Sequence, residues 1–221
     1  APNSVIQQIN APKEFSASYD VKKDIIVKGV SYVALPKRIH VWAKGEKFYL
    51  QLFQPAQDEW KLVKEVVYNT QKLWLISKAR SEREKDFVVR RDVSLSAIER
   101  GFYFWRLPDK RFPEPRQEQI ANTFYYVFTL NIPWKGRKII KYFRVDVVDQ
   151  VVKMIHASVY SGGFESKLYE VKRIECEQIA FEEVPDGVFN YTPLVDARVE
   201  SFQEAGNDAE KLLSRFLEII D

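Results

Sequence analysis

At 221 residues and 46% hydrophobic composition, the chain is long enough to bury a sizeable core, which excludes a wholly disordered protein. Its 34 Lys and Arg against 31 Asp and Glu leave a net charge of +3, too weak a field for a dedicated nucleic-acid binder. No run reaches the roughly 18 uncharged apolar residues of a spanning helix, and the lone Cys176 rules out an internal disulfide framework or a Cys-rich zinc site.

The chain opens Ala1-Pro2-Asn3, as expected of an exported protein whose signal peptide has been removed. Asn3-Ser4 predicts the cap of a short helix through about Asn10. From there the governing pattern is alternation of apolar and polar residues, the signature of a half-buried strand. Phe48, Leu50 and Leu52 alternate with Tyr49 and Gln51. Ser94 is the predicted cap of a second short helix, through about Arg100, and three prolines among charges predict an irregular loop over 108–122. Phe124, Tyr126, Phe128, Leu130 and Ile132 then share one parity against Thr129 and Asn131. Further on, Ile139, Phe143, Val145 and Val147 share a parity broken only by Lys141, with Arg144 and Asp146 on the other. Cys176 reads as a small buried apolar residue. Asn207 and Glu210 open a last helix in the manner of a capping box, and Leu212, Leu213, Phe216, Leu217 and Ile220 follow helical spacing behind them.

Turn signals separate the strands: Lys44-Gly45-Glu46, Pro55-Ala56-Gln57-Asp58, Asn69-Thr70-Gln71, Trp134-Lys135-Gly136, Asp149-Gln150, Gly162-Gly163 and Pro185-Asp186-Gly187. Their spacing predicts a meander, hence one antiparallel sheet that curls as its twist accumulates and acquires a concave side. The expected class is therefore mainly β (α+β), a single curved antiparallel sheet capped by a few helices. One domain is expected over residues 1–221, with 203–221 an additional C-terminal helix.

The residues offer little catalytic chemistry. The eight glycines sit mostly in turns and form no phosphate loop, and two histidines, His40 and His156, are too few for a three-His zinc site. Ser161-Gly162-Gly163 lacks the G-x-S-x-G elbow and reads as a turn. Glu182-Glu183 would point to opposite faces of a strand, which suits solvation better than paired acid and base. Basic clusters at 78–91 and 135–144 read as solvated strand ends, with contact to acidic headgroups the lesser alternative. Neither an enzyme nor a cofactor is expected.

Aromatic side chains make up 14% of the chain, including Trp42, Trp60, Trp74, Trp105 and Trp134. An ordinary core houses any one of them; collectively they suit a sheet whose hollow exceeds what a few helices fill. Several stretches, in order, resemble the bacterial periplasmic lipoprotein-carrier superfamily, that of LolA, LolB and the lipoprotein-like domain of RseB. These are Phe15 to Tyr19, Gly29 to Ile39, Val67 to Ile76 with its turn leading into Leu73-Trp74, Phe143 to Met154, and Val188 to Pro193 as a closing strand.

That resemblance implies an unclosed antiparallel barrel, lined by apolar side chains and covered by helices, which shields lipoprotein acyl chains. The expected function is binding or transport of such chains or another lipid-like ligand, in the periplasm or at the outer membrane, with a membrane-bound partner protein. In the carrier an Arg precedes the proline of the second strand; here that position is Leu35, which favours a related binder, sensor or acceptor over the carrier itself. Candidate lining residues are Trp42, Leu50, Leu52, Trp74, Phe128, Leu130, Phe143 and Val145. The rivals are a ligand-free interaction module with a filled core and an enzyme acting on envelope lipid or glycan.

Overall fold

The computed structural model describes residues 2–92, 94–162 and 166–220. Gly163 of the expected turn and the side chains of Asn3 and Trp134 lie outside what is described. The chain begins with α1 (Pro2–Asn10), β1 (Lys13–Val27), β2 (Val30–Val33), β3 (Lys37–Gly45), β4 (Lys47–Ala56), β5 (Glu59–Tyr68), β6 (Leu73–Ser77) and β7 (Phe87–Arg91). After a 3-10 turn at Glu99–Phe102 come β8 (Arg116–Ile120), β9 (Thr123–Trp134), β10 (Arg137–Asp146), β11 (Val152–Ser161) and β12 (Leu168–Ala180). A second 3-10 turn at Asp186–Phe189 leads to β13 (Arg198–Ser201), α2 (Phe202–Ala205) and α3 (Asn207–Ile220). The chain is mainly β, with few helices, as the alternation predicts.

Hydrogen-bonded strands follow the order β13-β7-β6-β5-β4-β3-β1-β12-β11-β10-β9-β8, and β2 pairs with β1 off that path. The runs β3 to β7 and β8 to β12 are hairpins in sequence, the predicted meander. Residues that break the helix and strand regions make the turns: Thr70, Lys135 and Gly136 take positive φ of 77°, 45° and 72°, and Asn69 Oδ1 accepts from the N–H groups of Gln71 and Lys72.

Five expectations need correction. β13 runs parallel to β7, so the sheet is not wholly antiparallel; the long passage between them imposes no hairpin geometry. Residues 108–122 are not all loop, because Arg116–Ile120 forms β8, a polar edge strand whose composition hides it from an alternation search. The closing strand expected over 188–193 is instead the 3-10 turn with buried Phe189 and an irregular passage. Ser94 is not the cap; Ser96 is, its hydroxyl accepting from Glu99 N–H at 3.3 Å while Glu99 Oε1 accepts from Ser96 N–H at 2.8 Å. Cys176 is half-buried on β12 rather than in the core.

The chain divides into two compact units. The first comprises Ala1–Ala11, Asp20–Pro36 and Tyr103–Cys176, the second Pro12–Tyr19, Lys37–Phe102 and Glu177–Asp221. In the second unit the cross-strand row Val41, Leu50, Val66, Leu75 and Val89 forms a buried layer. Phe102 packs on Phe48 from this layer and on Phe216 of α3, at ring separations of 5.8 and 6.4 Å. α3 buries Ala209, Leu212, Phe216, Leu217, Ile219 and Ile220, close to the predicted stripe. Ser201 caps α2 by accepting from Glu204 N–H at 3.1 Å, and Gly206, at φ 53°, separates α2 from α3.

Candidate functional site

In the first unit, Phe128 and Leu130 of β9 share one face with Phe143 and Val145 of β10, since Phe128 is paired with Phe143 and Lys141 with Leu130. All four side chains are buried, so sequence parity places them together correctly. What covers them is the segment after the first 3-10 turn. Phe112 sets its ring 5.5 Å from Phe128 and 5.8 Å from Phe143, edge-on to both. Tyr103, Phe104, Trp105 and Leu107 of the same segment are also buried.

Hydrogen bonds tie that segment to α1 and to β11. Asn10 at the end of α1 clamps Leu107 from both sides, donating from Nδ2 to its carbonyl at 3.1 Å and accepting its N–H on Oδ1 at 2.8 Å. Val152 N–H donates to the Trp105 carbonyl at 3.0 Å. Phe112 itself stands between Pro108 and Pro113–Pro115, on backbone that belongs to neither helix nor strand. It is buried, with its ring against those of Phe128 and Phe143.

In the second unit the predicted residues separate. Leu50 and Leu52 face the layer under Phe102 and α3, whereas Trp42 and Trp74 lie on the opposite face in the row Trp42, Tyr49, Val67, Trp74, Arg90. Trp42 stacks on Tyr49 at 5.2 Å and is half-buried; Trp74 is buried, edge-on to Tyr191 at 5.3 Å. Trp42 and Trp74 therefore do not share a face with Leu50 and Leu52, because bulk rather than parity selected them.

That opposite face carries a polar cluster which sequence reasoning missed. Tyr49 Oη donates to Glu65, accepts from Gln51 Nε2 at 2.9 Å, and Lys78 reaches Glu65 at 3.8 Å and Asp86 at 2.8 Å. Glu65 and Asp86 are both buried. Burial, then the bond to Glu65 and its charge, push the Tyr49 phenol well above its ordinary range. Burial and the charges of Glu65 and Asp86 push Tyr191 up to about 12. Burial works against ionisation of Asp86, but the bonds from Lys78 and the Ala79 N–H outweigh it and hold the carboxyl below its usual range. The sequence hint is slight: Lys64 and Glu65 interrupt the apolar residues Leu62, Val63, Val66, Val67 and Tyr68.

The second unit also has an open cleft of about 430 Å³, lined by Glu14, Lys44, Phe181, Glu182 and Glu183. Its charges bind one another: Lys44 Nζ donates to the Val184 carbonyl at 3.0 Å and lies 3.2 Å from Asp186, while Glu14 accepts from Val184 N–H at 2.8 Å. This arrangement fastens the 181–187 passage.

The residues tested for catalysis sit as follows. Ser161 Oγ accepts from Lys167 N–H at 3.0 Å, closing a turn. His40 lies in the second unit, its ring 4.8 Å from Phe53. His156 lies in the first, and burial with the charges of Arg173 and Arg144 lowers its pKa, which keeps the imidazole neutral near pH 7. Among the described residues no group of three His, Cys, Asp or Glu is placed to hold a metal, and no helix is long and apolar enough to cross a membrane. No family model matches the chain, and no curated protein is similar enough to it to count as a relative.

Proposed function

We propose that this protein binds lipoprotein acyl chains or another lipid-like ligand in the bacterial cell envelope, without catalysis, and that the guest takes the place of Phe112 against β9 and β10. The observation that carries this reading is the contact of Phe112 with Phe128 and Phe143. An aromatic plug borne on proline-flanked, irregular chain leaves its seat without breaking a strand or helix.

Magnitudes favour the exchange. Removing a buried Phe from its contacts costs about 3–5 kcal/mol, and each acyl CH₂ buried returns about 0.8 kcal/mol, so roughly six methylenes offset the displacement. Ordinary acyl chains are longer. The antiparallel hairpin runs β3 to β7 and β8 to β12 also support the resemblance to the lipoprotein carriers. Titration of the purified protein with a fluorescent fatty acid, followed by competition with a diacylated peptide, tests the reading. Saturable binding that the peptide reverses is expected; absence of binding overturns it.

A second reading has its own support. Phe128, Leu130, Phe143 and Val145 are already packed by the protein's own side chains, which suits an interaction module that carries no ligand. Such a module fails the same titration while keeping its fold.

A further inference from the structure

The second half of β1 and β2 form a hairpin in the first unit, turning at Lys28 and Gly29, whose φ angles are 50° and 78°. Ile25 pairs with Tyr32 and Val27 with Val30, so these four side chains stand on one face. They are 40%, 58%, 49% and 54% exposed. A wholly apolar hairpin face held in water is costly unless something covers it.

The charges around it indicate what does. β12 is the neighbour of β1, and Lys23 is paired to Glu170 at 2.6 Å, which sets the start of β12 beside the end of β1. Leu168 pairs with Tyr160, and Ser161 with Arg137, so the β9–β10 turn, the end of β11 and the start of β12 lie at the same end of the unit as the hairpin. Arg137 packs over the Tyr169 ring at 4.9 Å, joining the start of β10 to the start of β12. Lys28, Lys135, Arg137, Lys138 and Lys167 are exposed there, while Glu170 is taken up by Lys23. An apolar face bordered by cations matches the layered chemistry of an anionic bilayer, acyl boundary beneath phosphate; a nucleic acid would leave Ile25, Val27 and Val30 uncovered.

We infer that this end of the first unit docks on anionic lipid bilayers, with the β1–β2 hairpin at the acyl boundary and the basic turns on the headgroups. The docking residues are distinct from those of the acyl-chain site, which are Phe128, Leu130, Phe143, Val145 and the 103–112 segment.

Cosedimentation of the full chain with vesicles of phosphatidylcholine, with or without phosphatidylglycerol, tests the inference. The partition coefficient is expected to be about tenfold or more higher on the anionic vesicles and to fall with salt. Val27→Ser/Val30→Ser and Lys135→Glu/Lys138→Glu each lower it about tenfold, with fatty-acid binding and the thermal midpoint unchanged because the altered side chains are exposed. Equal partition on neutral vesicles, or either double variant binding as the parent does, overturns the inference. So does a hairpin variant that converts a dimer to a monomer without affecting vesicle binding, which identifies a second copy as the occupant.

Discussion

Lys78 donates to Asp86 at 2.8 Å, and Asp86 spends its other oxygen on the Ala79 N–H at the same distance, so one buried carboxylate fixes both a side chain and the backbone that leads to β7. The folded-state pKa of Asp86 lies below its ordinary value of about 3.9. Its stabilising contribution is therefore complete above that value and is lost as pH falls through the lower, folded one. Asp86→Asn is expected to destabilise the protein by about 1–3 kcal/mol at pH 7 and to flatten the acid limb. Urea unfolding across pH 2 to 7 checks both, taking about 3.9 as the unfolded reference.

Lys64 is also lowered, but here the fold disfavours the charged form instead of using it. It occupies the row of Leu52 and Ser77, with its ammonium 5.4 Å from the Phe216 ring, and burial together with the charges of Arg215, Lys37 and Arg80 lowers its pKa to about 8. The unfolded chain holds this proton more tightly, so stability rises as pH climbs from about 8 toward the ordinary Lys value of about 10.4. Lys64→Met removes that rise and stabilises the protein at pH 7 by on the order of 1 kcal/mol, since the group is only partly buried and its charge partly screened. Unfolding midpoints at pH 7 and at alkaline pH decide it.

Glu99, fully buried, is ion-paired with Arg91 and completes the cap with Ser96. Glu99→Ala leaves a half-buried guanidinium without its counter-charge and opens the 3-10 turn, with an expected loss of about 3–5 kcal/mol. Glu99→Gln, which retains the bond to Ser96 N–H, loses less. Chemical denaturation of both variants separates charge from cap.

Phe112→Ala is expected to act in two directions at once. Stability of the unliganded protein falls by about 3–5 kcal/mol, while affinity for a fluorescent fatty acid rises because the seat on Phe128 and Phe143 is already empty. Calorimetry with and without the fatty acid measures both.

Much of this fold was legible because alternation reports burial directly: Leu50, Leu52, Phe128, Leu130, Phe143 and Val145 are all in the core. Alternation fails where an element is polar on both faces, as in β8, or where pairing is set by tertiary approach, as in parallel β13. It fails again where both faces are covered. Val127 is buried opposite Phe128, and Trp74 is buried opposite Leu75, so hydrophobicity alone does not tell which face a large aromatic takes. The cluster around Glu65 joins residues of β4, β5 and the connection between β6 and β7, a set no local pattern gathers. Phe112 escaped because its segment has no period; its role depends on where a proline-rich chain returns to the sheet.

Photo-crosslinking with a diazirine-bearing fatty acid, mapped by mass spectrometry, tests the central claim most directly. Label is expected on Phe128, Leu130, Phe143 and the segment around Phe112, and an excess of unlabelled diacylated peptide should remove it. No peptide-sensitive label on these residues, or label confined to the β1–β2 hairpin, contradicts an acyl chain seated where Phe112 now lies.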